Sequence, residues 1–340
     1  MKQREGARPP GMADVARVAG VSAQTVSRAL AGHPNVQDAT RAKVLAAVEQ
    51  LGYRKNTAAG TLSSGRSRTI GVVTLQTGFF SRTALTVGVE RAAREAGYAV
   101  STATTASLDP ASVEDALLRL ADQQVEGVVL AVPLIRVSRR IEQLTAAVPT
   151  VAVDGSRTPA TDIVAVDQSG AARLAVNHLL DLGHATVWHV AGPGEWLDAA
   201  SRSRGWRAAL DAAGAWAPPE LAGDWSPDSG YRAGLILGRI SEVTAVFVAS
   251  DEMAFGVIRA LRELGRRVPE DISVVGVDDI ALAAYCSPPL TTVAQPFDRM
   301  GALAVAHLLR HVAEPAAPPA PVSVEPALVV RSSTAPVRGS

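Results

Sequence analysis

Residues 14–30 read DVARVAGVSAQTVSRAL, a stretch that predicts two short helices joined by a tight turn. Val15 and Ala16 lie on the apolar face of the first helix. Gly20 can adopt the positive φ that a tight turn requires. The side chain of Ser22 can accept a hydrogen bond from a free N–H group at the start of the second helix. The spacing therefore predicts a helix-turn-helix.

The second helix of this motif has one buried stripe and one exposed, hydrogen-bonding face. Val26 and Leu30 are four residues apart and form the predicted stripe. The exposed positions near its N-terminal end are Ala23, Gln24, Ser27 and Arg28. Small and hydrogen-bonding side chains of this kind read base edges in the major groove of duplex DNA. Two ordinary amphipathic helices in a small bundle remain the alternative, because short helix-turn-helix patterns also recur by chance.

The charge distribution favours DNA binding by the N-terminal segment. The net charge of the 340 residues is zero, but residues 1–68 contain 11 Lys or Arg against 4 Asp or Glu. The first segment therefore carries +7 and the remainder −7. A basic head on an acidic body suggests that the head alone meets phosphates.

A third helix is predicted over 40–51, with Gly52 as its C-terminal stop. Thr40, Arg41 and Lys43 lie at its start, where they could touch phosphates. The segment that follows has weak helical character and could become ordered on binding. We expect the chain to divide into a disordered arm (1–11), a head (12–55), a hinge helix or linker (56–66), a core (67–334) and a tail (335–340).

From residue 69 onward, short β-branched runs alternate with amphipathic helical stretches. The predicted strands are 70–75, 98–101, 127–132, 150–153, 163–166, 187–191, 245–249 and 273–277. The predicted helices are 85–96, 113–123, 169–182, 203–213, 229–240, 253–264 and 297–311. Such alternation predicts an α/β core of parallel sheets covered on both faces, with ligands at the carboxyl ends of the strands. The core is too long for one sheet, so two lobes separated by a cleft are expected.

Several function classes lack their sequence signatures. The lone cysteine, Cys286, excludes an intramolecular disulfide and a cysteine metal cluster. The N-terminus has no apolar run typical of a signal peptide, and no stretch is long and apolar enough for a membrane span, so we expect a cytoplasmic protein. We find no dinucleotide, Walker or nucleophile-elbow motif, and no glutamate follows His307 in a zinc-protease pattern with His311. No catalytic residue, metal site or cofactor is predicted.

Motifs along residues 12–334 resemble those of the lactose-repressor (LacI/GalR) family of bacterial transcriptional regulators. The head carries Asp-Val-Ala, Ala-Gly-Val-Ser and Thr-Val-Ser-Arg at 14–16, 19–22 and 25–28. Later blocks follow in the family's order: Leu-Gly-Tyr at 51–53, Ile-Gly-Val-Val at 70–73, Leu-Gly-His at 182–184, Gly-Trp at 205–206, Ser-Asp-Glu-Met-Ala at 250–254, Asp-Ile-Ser-Val-Val-Gly at 271–276 and Pro-Pro-Leu-Thr-Thr at 288–292. The resemblance implies a helix-turn-helix head, a hinge helix and a two-lobed core similar to periplasmic binding proteins.

The resemblance also implies DNA contacts at particular positions. These are Ser22, Ala23, Gln24, Thr25, Ser27, Arg28, Asn35, Thr40, Tyr53, Asn56, Ala59 and Leu62. Leu62 matches the hinge leucine that wedges into a central base step, usually CG, where bending of the duplex offsets the cost of unstacking. Two heads in a homodimer would then read a palindromic operator in double-stranded DNA.

An effector site is implied at the strand ends of the core, where carboxylates and aromatic rings suit a small saccharide. Its predicted residues are Phe79, Asp154, Arg202, Trp225, Ser250, Asp278 and Phe297, with Phe80 as a further wall residue and Trp196 at the mouth of the cleft. Ala200 occupies a position where we expect a family arginine, so Arg202 either replaces that arginine or faces solvent. Trp188 and Trp206 are predicted core residues.

The expected function is that of a homodimeric repressor released from its operator by a saccharide, acting at the bacterial nucleoid. The N-lobe is expected over about 67–166 and 295–324, and the C-lobe over about 167–294 and 325–334. Three alternatives stay open: a regulator whose DNA binding a corepressor or phosphoprotein tightens, a sugar receptor without a DNA role, and an enzyme. The sign of the ligand's effect on operator affinity separates the first alternative from an induced repressor.

Overall fold

The structure is a computed structural model that describes residues 10–30, 32–53, 66–133, 137–155 and 161–337. The chain forms two compact units, Met1–Ser67 and Arg68–Ser340. Within the described ranges, no helix is both long and apolar enough to cross a membrane. Most of the predicted arm and nearly all of the predicted hinge, including Asn56, Ala59 and Leu62, lie outside the described residues.

The first unit contains the predicted helix-turn-helix. Its helices are α1 (Met12–Ala19), α2 (Ala23–Leu30) and α3 (Asp38–Leu51). Gly20 ends α1 with φ of +69°, and Ser22 Oγ accepts from the Thr25 N–H at 3.1 Å. Both the turn and the cap were therefore predicted correctly. The buried stripe of α2 is Val26 and Ala29, whereas Leu30 is only half-buried.

The second unit contains two sheets, of which the first builds the N-lobe. In sheet order its strands are β11 (Val322–Val324), β5 (Asp162–Val166), β4 (Thr150–Val153), β3 (Gly127–Ala131), β1 (Thr69–Leu75) and β2 (Ala99–Thr105). All neighbouring pairs are parallel. Its helices are α4 (Phe80–Glu95), α5 (Pro110–Asp122), α6 (Arg139–Ala147) and α11 (Phe297–Ala313). Separate apolar clusters cover the two faces, as a fully buried parallel sheet requires.

The second sheet builds the C-lobe. In sheet order its strands are β12 (Ala327–Val329), β10 (Thr291–Ala294), β9 (Ser273–Asp278), β8 (Ala245–Val248), β6 (Trp188–Ala191) and β7 (Leu221–Ala222). Its helices are α7 (Gln168–Asp181), α8 (Leu197–Ala212), α9 (Pro227–Leu237) and α10 (Asp251–Glu263), with a short 3₁₀ helix at Ala281–Ala284. The sheet is parallel except for β12, which runs antiparallel to β10.

The chain passes between the lobes three times, after β5, after β10 and after β11. The predicted α/β class, the parallel sheets and the two-lobed arrangement are confirmed, and the edge strand β12 adds one antiparallel pairing. The prediction also omitted β7, β10, β11, β12 and α6. Four of these elements have only two to four residues, so they show too little periodicity to recognise.

Candidate functional site

The main cleft of the second unit lies where the carboxyl ends of both sheets face each other. It leaves a cavity of about 20 Å³, and its walls come from loops and helix N-termini that follow β1, β4, β6, β7, β8, β9 and β10. The lining residues are Phe79, Ser81, Arg82, Asp154, Trp196, Asp198, Arg202, Trp225, Ser250, Glu252, Asp278, Gln295 and Phe297. All seven predicted effector-binding residues are among them. The mixture of aromatic and polar groups is typical of small-ligand sites.

Trp225 forms the aromatic wall of the C-lobe. Its φ is +71°, a conformation that a large side chain adopts only when its surroundings hold it there. Trp196 packs edge-on against it with 5.6 Å between ring centroids, and the Arg202 guanidinium lies 5.6 Å from its centroid. A Cβ at Gly192 would overlap the Trp225 ring. The indole Nε1 has no acceptor in the described part of the chain, so the ring edge is free to donate.

Two buried carboxyl groups face the cleft from opposite lobes. Asp154 follows β4 with φ of +49°, and its Oδ1 accepts from the Val166 N–H at 3.0 Å. Burial, reinforced by the charge of Asp198, raises the pKa of Asp154 to about 7. Asp278 ends β9, and burial raises its pKa to about 6. Carboxylates of this kind accept hydrogen bonds from ligand hydroxyls.

Arg202 does not face solvent, which resolves the alternative left open by the sequence. Its Nε donates to Gln168 Oε1 at 2.9 Å, and its Nη1 donates to the Ala249 carbonyl at 2.5 Å. Gln168 Nε2 donates to Gln295 Oε1 at 2.8 Å, and Gln295 Nε2 donates to Asp278 at 2.5 Å. This relay fixes the carboxyl group of Asp278, which lines the cleft.

Ser250 and its neighbour Asp251 have structural tasks at the start of α10. Ser250 Oγ accepts from the Met253 N–H at 3.2 Å, so it caps the helix while its residue lines the cleft. Asp251 accepts from the Ile280 N–H at 2.9 Å and from the Thr292 hydroxyl at 2.5 Å. Burial raises the pKa of Asp251 well above its usual value. Asp251 therefore ties the start of α10 to the loop after β9 and to strand β10, and it does not line the cleft.

Some cleft residues were missed by sequence reasoning, chiefly Arg82, Asp198, Glu252 and Gln295. Among the other predicted aromatics, Phe80 packs edge-on against Phe297 at 6.0 Å. Trp206 is completely buried and donates to the Val187 carbonyl at 2.8 Å. Trp188 is also buried in the C-lobe core, so neither Trp188 nor Trp206 lines the cleft, as predicted.

The second candidate site is the exposed face of α2. Ser22, Ala23, Gln24, Ser27 and Arg28 are exposed on it, and Thr25 is half-buried. Opposite them, Val26 and Ala29 pack into the head core. The arrangement leaves the N-terminal half of α2 free to enter a groove.

The remaining predicted head contacts differ in accessibility. Asn35 is exposed and Thr40 is half-buried, whereas Tyr53 is only 9% exposed and belongs to the head core. Arg41 donates to the carbonyls of Ala29 and His33 at 3.1 and 3.0 Å. Its guanidinium therefore ties α3 to the end of α2. The sequence predicted a phosphate contact for Arg41 and not this structural role.

The histidine pair on α11 has no metal-protease arrangement. His307 Nδ1 and His311 Nε2 lie 2.7 and 3.0 Å from the same oxygen, Asp162 Oδ2. Arg310 Nη2 donates to that oxygen at 2.8 Å. Desolvation would raise the pKa of Asp162, but hydrogen bonds from His307 and His311 outweigh it and lower the pKa. The cluster anchors α11 to β5.

Two family models match the chain in separate regions. Residues 11–56 match the model of bacterial regulatory proteins of the lacI family, and residues 176–334 match that of a periplasmic binding protein-like domain. The first match covers the helix-turn-helix and the second covers most of the C-lobe.

Relatives align over nearly the whole chain. The ribose operon repressor of Escherichia coli strain K12 is 35% identical over 329 residues, which covers 95% of this chain and 99% of that protein. The transcriptional regulator MalR of Streptomyces coelicolor is 38% identical, with 96% and 97% covered. A crystal structure of the lac repressor dimer bound to operator and the anti-inducer ONPF superposes with a TM-score of 0.86 at 33% identity, covering 96% of this chain and all of that one. These relatives are regulators and not enzymes, and the chain belongs to the LacI family of bacterial transcriptional regulators.

Proposed function

We propose that this regulator is a homodimeric repressor that a neutral saccharide, bound in the cleft between the lobes, releases from a palindromic operator. The cleft carries the proposal, because it combines aromatic walls with buried carboxyl and guanidinium groups. Aromatic faces stack on the C–H face of a sugar ring, and the polar groups satisfy its hydroxyls. The name of the ribose operon repressor supports a sugar effector in a related protein.

The head supports reading of duplex DNA. Its exposed face on α2 offers an amide, a guanidinium and hydroxyls, which match purine edges and phosphates. The match to the lac repressor bound to operator supports the same use of the head here. A central CG step in the operator is carried over from the family resemblance alone. Because the target is chromosomal, we place the protein at the nucleoid in the bacterial cytoplasm.

An exposed apolar patch on the C-lobe supports the homodimer. Leu282 is 64% exposed and Tyr285 is 85% exposed, and they line one concave surface with Phe255 and Ile258. Exposed apolar side chains grouped on one surface are consistent with an interaction site. The related lac repressor crystallised on its operator as a dimer, and two heads would account for a two-fold symmetric operator.

Thermodynamic linkage defines what the saccharide must do. It can release the operator only if it binds the DNA-free state more tightly than the DNA-bound state. A coupling of about 1–3 kcal/mol corresponds to a change of roughly 5–150-fold in operator affinity. We infer that the saccharide changes the angle between the lobes, and hence the spacing of the two heads.

The experiment is selection of bound sequences from a random duplex pool by the purified protein, followed by titration with saccharides. A palindrome released by one neutral sugar would support every part of the proposal. A palindrome whose binding is tightened by a small molecule would identify a corepressor-dependent regulator instead. Failure to enrich any sequence would contradict the proposed operator binding.

Replacing Arg28 by alanine should weaken binding to the selected operator by about 1–3 kcal/mol, because a guanidinium on α2 can pair with a guanine edge. Binding to random duplex should weaken much less. The measurement is fluorescence anisotropy on both duplexes at one fixed salt concentration. Arg299→Ala, at an exposed position on α11, is the control and should match the wild type. If Arg28→Ala loses equal affinity for operator and for random DNA, Arg28 contacts phosphate and does not read a base.

A further inference from the structure

Arg82, which is part of the cleft wall, has hydrogen-bonding capacity that the protein does not use. It lies in the first turn of α4 on the N-lobe and is only 5% exposed. Its Nη2 donates to Asp198 Oδ2 at 2.5 Å. No acceptor within the described residues reaches its Nε or Nη1, although both atoms are buried. Buried polar groups normally have partners, so this arrangement is incomplete without a further acceptor.

The surroundings hold the Arg82 guanidinium in place. Its Cζ lies 5.6 Å from the ring centroid of Trp196, and the carboxylate of Asp198 fixes one corner. Both partners belong to the C-lobe, so Arg82 joins the two lobes across the cleft. Phe80, on the same turn, donates its N–H to Glu252 across the cleft at 3.3 Å. The donors of Arg82 are thus fixed where the lobes meet.

We propose that Arg82 determines effector specificity by donating from Nε and Nη1 to oxygen atoms of the saccharide. This inference rests on the proposed function and specifies which protein donors contact the oxygen atoms of the saccharide. The Nε–H and Nη1–H bonds lie on different edges of the planar guanidinium, so they call for two acceptor oxygens. Two oxygens on different parts of the saccharide meet that requirement.

The charge of the cleft favours an uncharged ligand. Asp154, Asp198, Asp278 and Glu252 outnumber Arg82 and Arg202 among the lining residues. An anionic group beside Arg82 would also meet the carboxylate of Asp198. A hydroxyl can accept from Arg82 and donate its own proton to a carboxylate, whereas a phosphate can only accept. Arg82 therefore selects a hydroxyl-bearing edge of a neutral sugar.

The test is calorimetric titration of the full-length protein. The probes are D-ribose, D-xylose, D-glucose, D-galactose and cellobiose, with D-ribose 5-phosphate and D-glucose 6-phosphate as anionic counterparts. Each sugar that binds is compared with its monodeoxy analogues. Arg82→Lys keeps the positive charge and loses the guanidinium edges, so the parent sugar should bind at least about tenfold more weakly. An analogue that lacks either hydroxyl read by Arg82 should show a smaller difference in affinity between the two proteins than the parent sugar does.

Two further variants separate recognition from structure. Arg91→Lys, on the same helix but exposed and paired with Asp298 at 2.8 Å, is the matched control and should retain wild-type affinity. Asp198→Asn removes the ion pair while leaving Nε and Nη1 of Arg82, so discrimination between sugar and deoxy analogue should persist. If Arg82→Lys melts well below the wild type, Arg82→Gln is measured against the same pairs of ligands.

The outcomes distinguish this inference from the proposed function. Unchanged affinity and discrimination in Arg82→Lys would overturn the role of Arg82 and leave the saccharide-released repressor intact. Binding of a sugar phosphate alone would overturn the neutral-ligand assignment. If no probe binds the wild type, both the saccharide effector and the role of Arg82 are contradicted. Operator binding is measured on the same samples and tests the DNA-binding part of the proposed function independently.

Discussion

Trp225→Ala is expected to abolish release of the operator by the effector while leaving operator affinity within about twofold of the wild type. The indole lines the cleft, its Nε1–H has no acceptor among the described residues, and Trp196 and Arg202 hold the ring in place. Removal of a central aromatic anchor typically costs 2 kcal/mol or more in binding. We expect at least about a 30-fold loss of saccharide affinity, measured by calorimetry and by operator release.

Trp216→Ala is the matched control for this prediction, because the Trp216 ring is 63% exposed and lies against Trp188 outside the cleft. Its effector response should equal that of the wild type. A wild-type response in Trp225→Ala would remove Trp225 from the binding wall. Loss of operator binding in Trp225→Ala would instead show that the substitution disturbs the C-lobe as a whole.

The effector-binding residues predicted from sequence share one physical origin. Asp154, Trp225, Ser250 and Asp278 directly follow predicted strands or adjoin short loops, and strand ends of parallel sheets converge on one edge. The periodicity of buried strands was strong enough to locate that edge, as in β3, where all five residues are buried. Seven residues predicted from sequence therefore meet in one cleft.

Two of the missed residues, Arg82 and Asp198, lie in the first turns of helices whose beginnings the sequence conceals. The predicted helices start at Leu85 and Ser203, whereas α4 and α8 begin at Phe80 and Leu197. Arg82 and Asp198 are buried charged residues on the inner face of those first turns. A charged residue at an inward position interrupts the apolar periodicity from which helices are recognised. The burial of Arg82 and Asp198 is explained only by their pairing with each other in the folded structure.

The head shows a similar limit. Capping by Ser22 and the left-handed Gly20 follow from local chemistry and were predicted. The contacts of Arg41 with two carbonyl groups of the neighbouring segment, and the burial of Tyr53, depend on how α3 packs against α2. Basic and aromatic side chains near a DNA-reading helix are therefore poor evidence of DNA contact until their packing is known.

Asp154→Asn is expected to stabilise the protein at pH 8 by up to about 4 kcal/mol, with the gain vanishing near pH 4. Burial raises the pKa of Asp154 from 3.8 to about 7, and each unit corresponds to about 1.4 kcal/mol. A raised carboxyl pKa means that the folded state binds the proton more tightly. The contribution of Asp154 to stability is therefore complete below about pH 4 and is lost as the pH rises to 7. Asparagine keeps an oxygen for the Val166 N–H and has no charge to desolvate.

Urea denaturation of both proteins between pH 4 and 8 measures this difference directly. Asp211→Asn, at an exposed position near the end of α8, should change stability little at any pH. A pH-independent difference between Asp154→Asn and the wild type would show that the Asp154 carboxyl is not desolvated in solution. If the predicted slope is found, Asp154 is a destabilising charge at neutral pH. An asparagine could replace Asp154 in the fold. The presence of an aspartate in the cleft therefore indicates that its carboxylate accepts a hydrogen bond from a hydroxyl of the ligand.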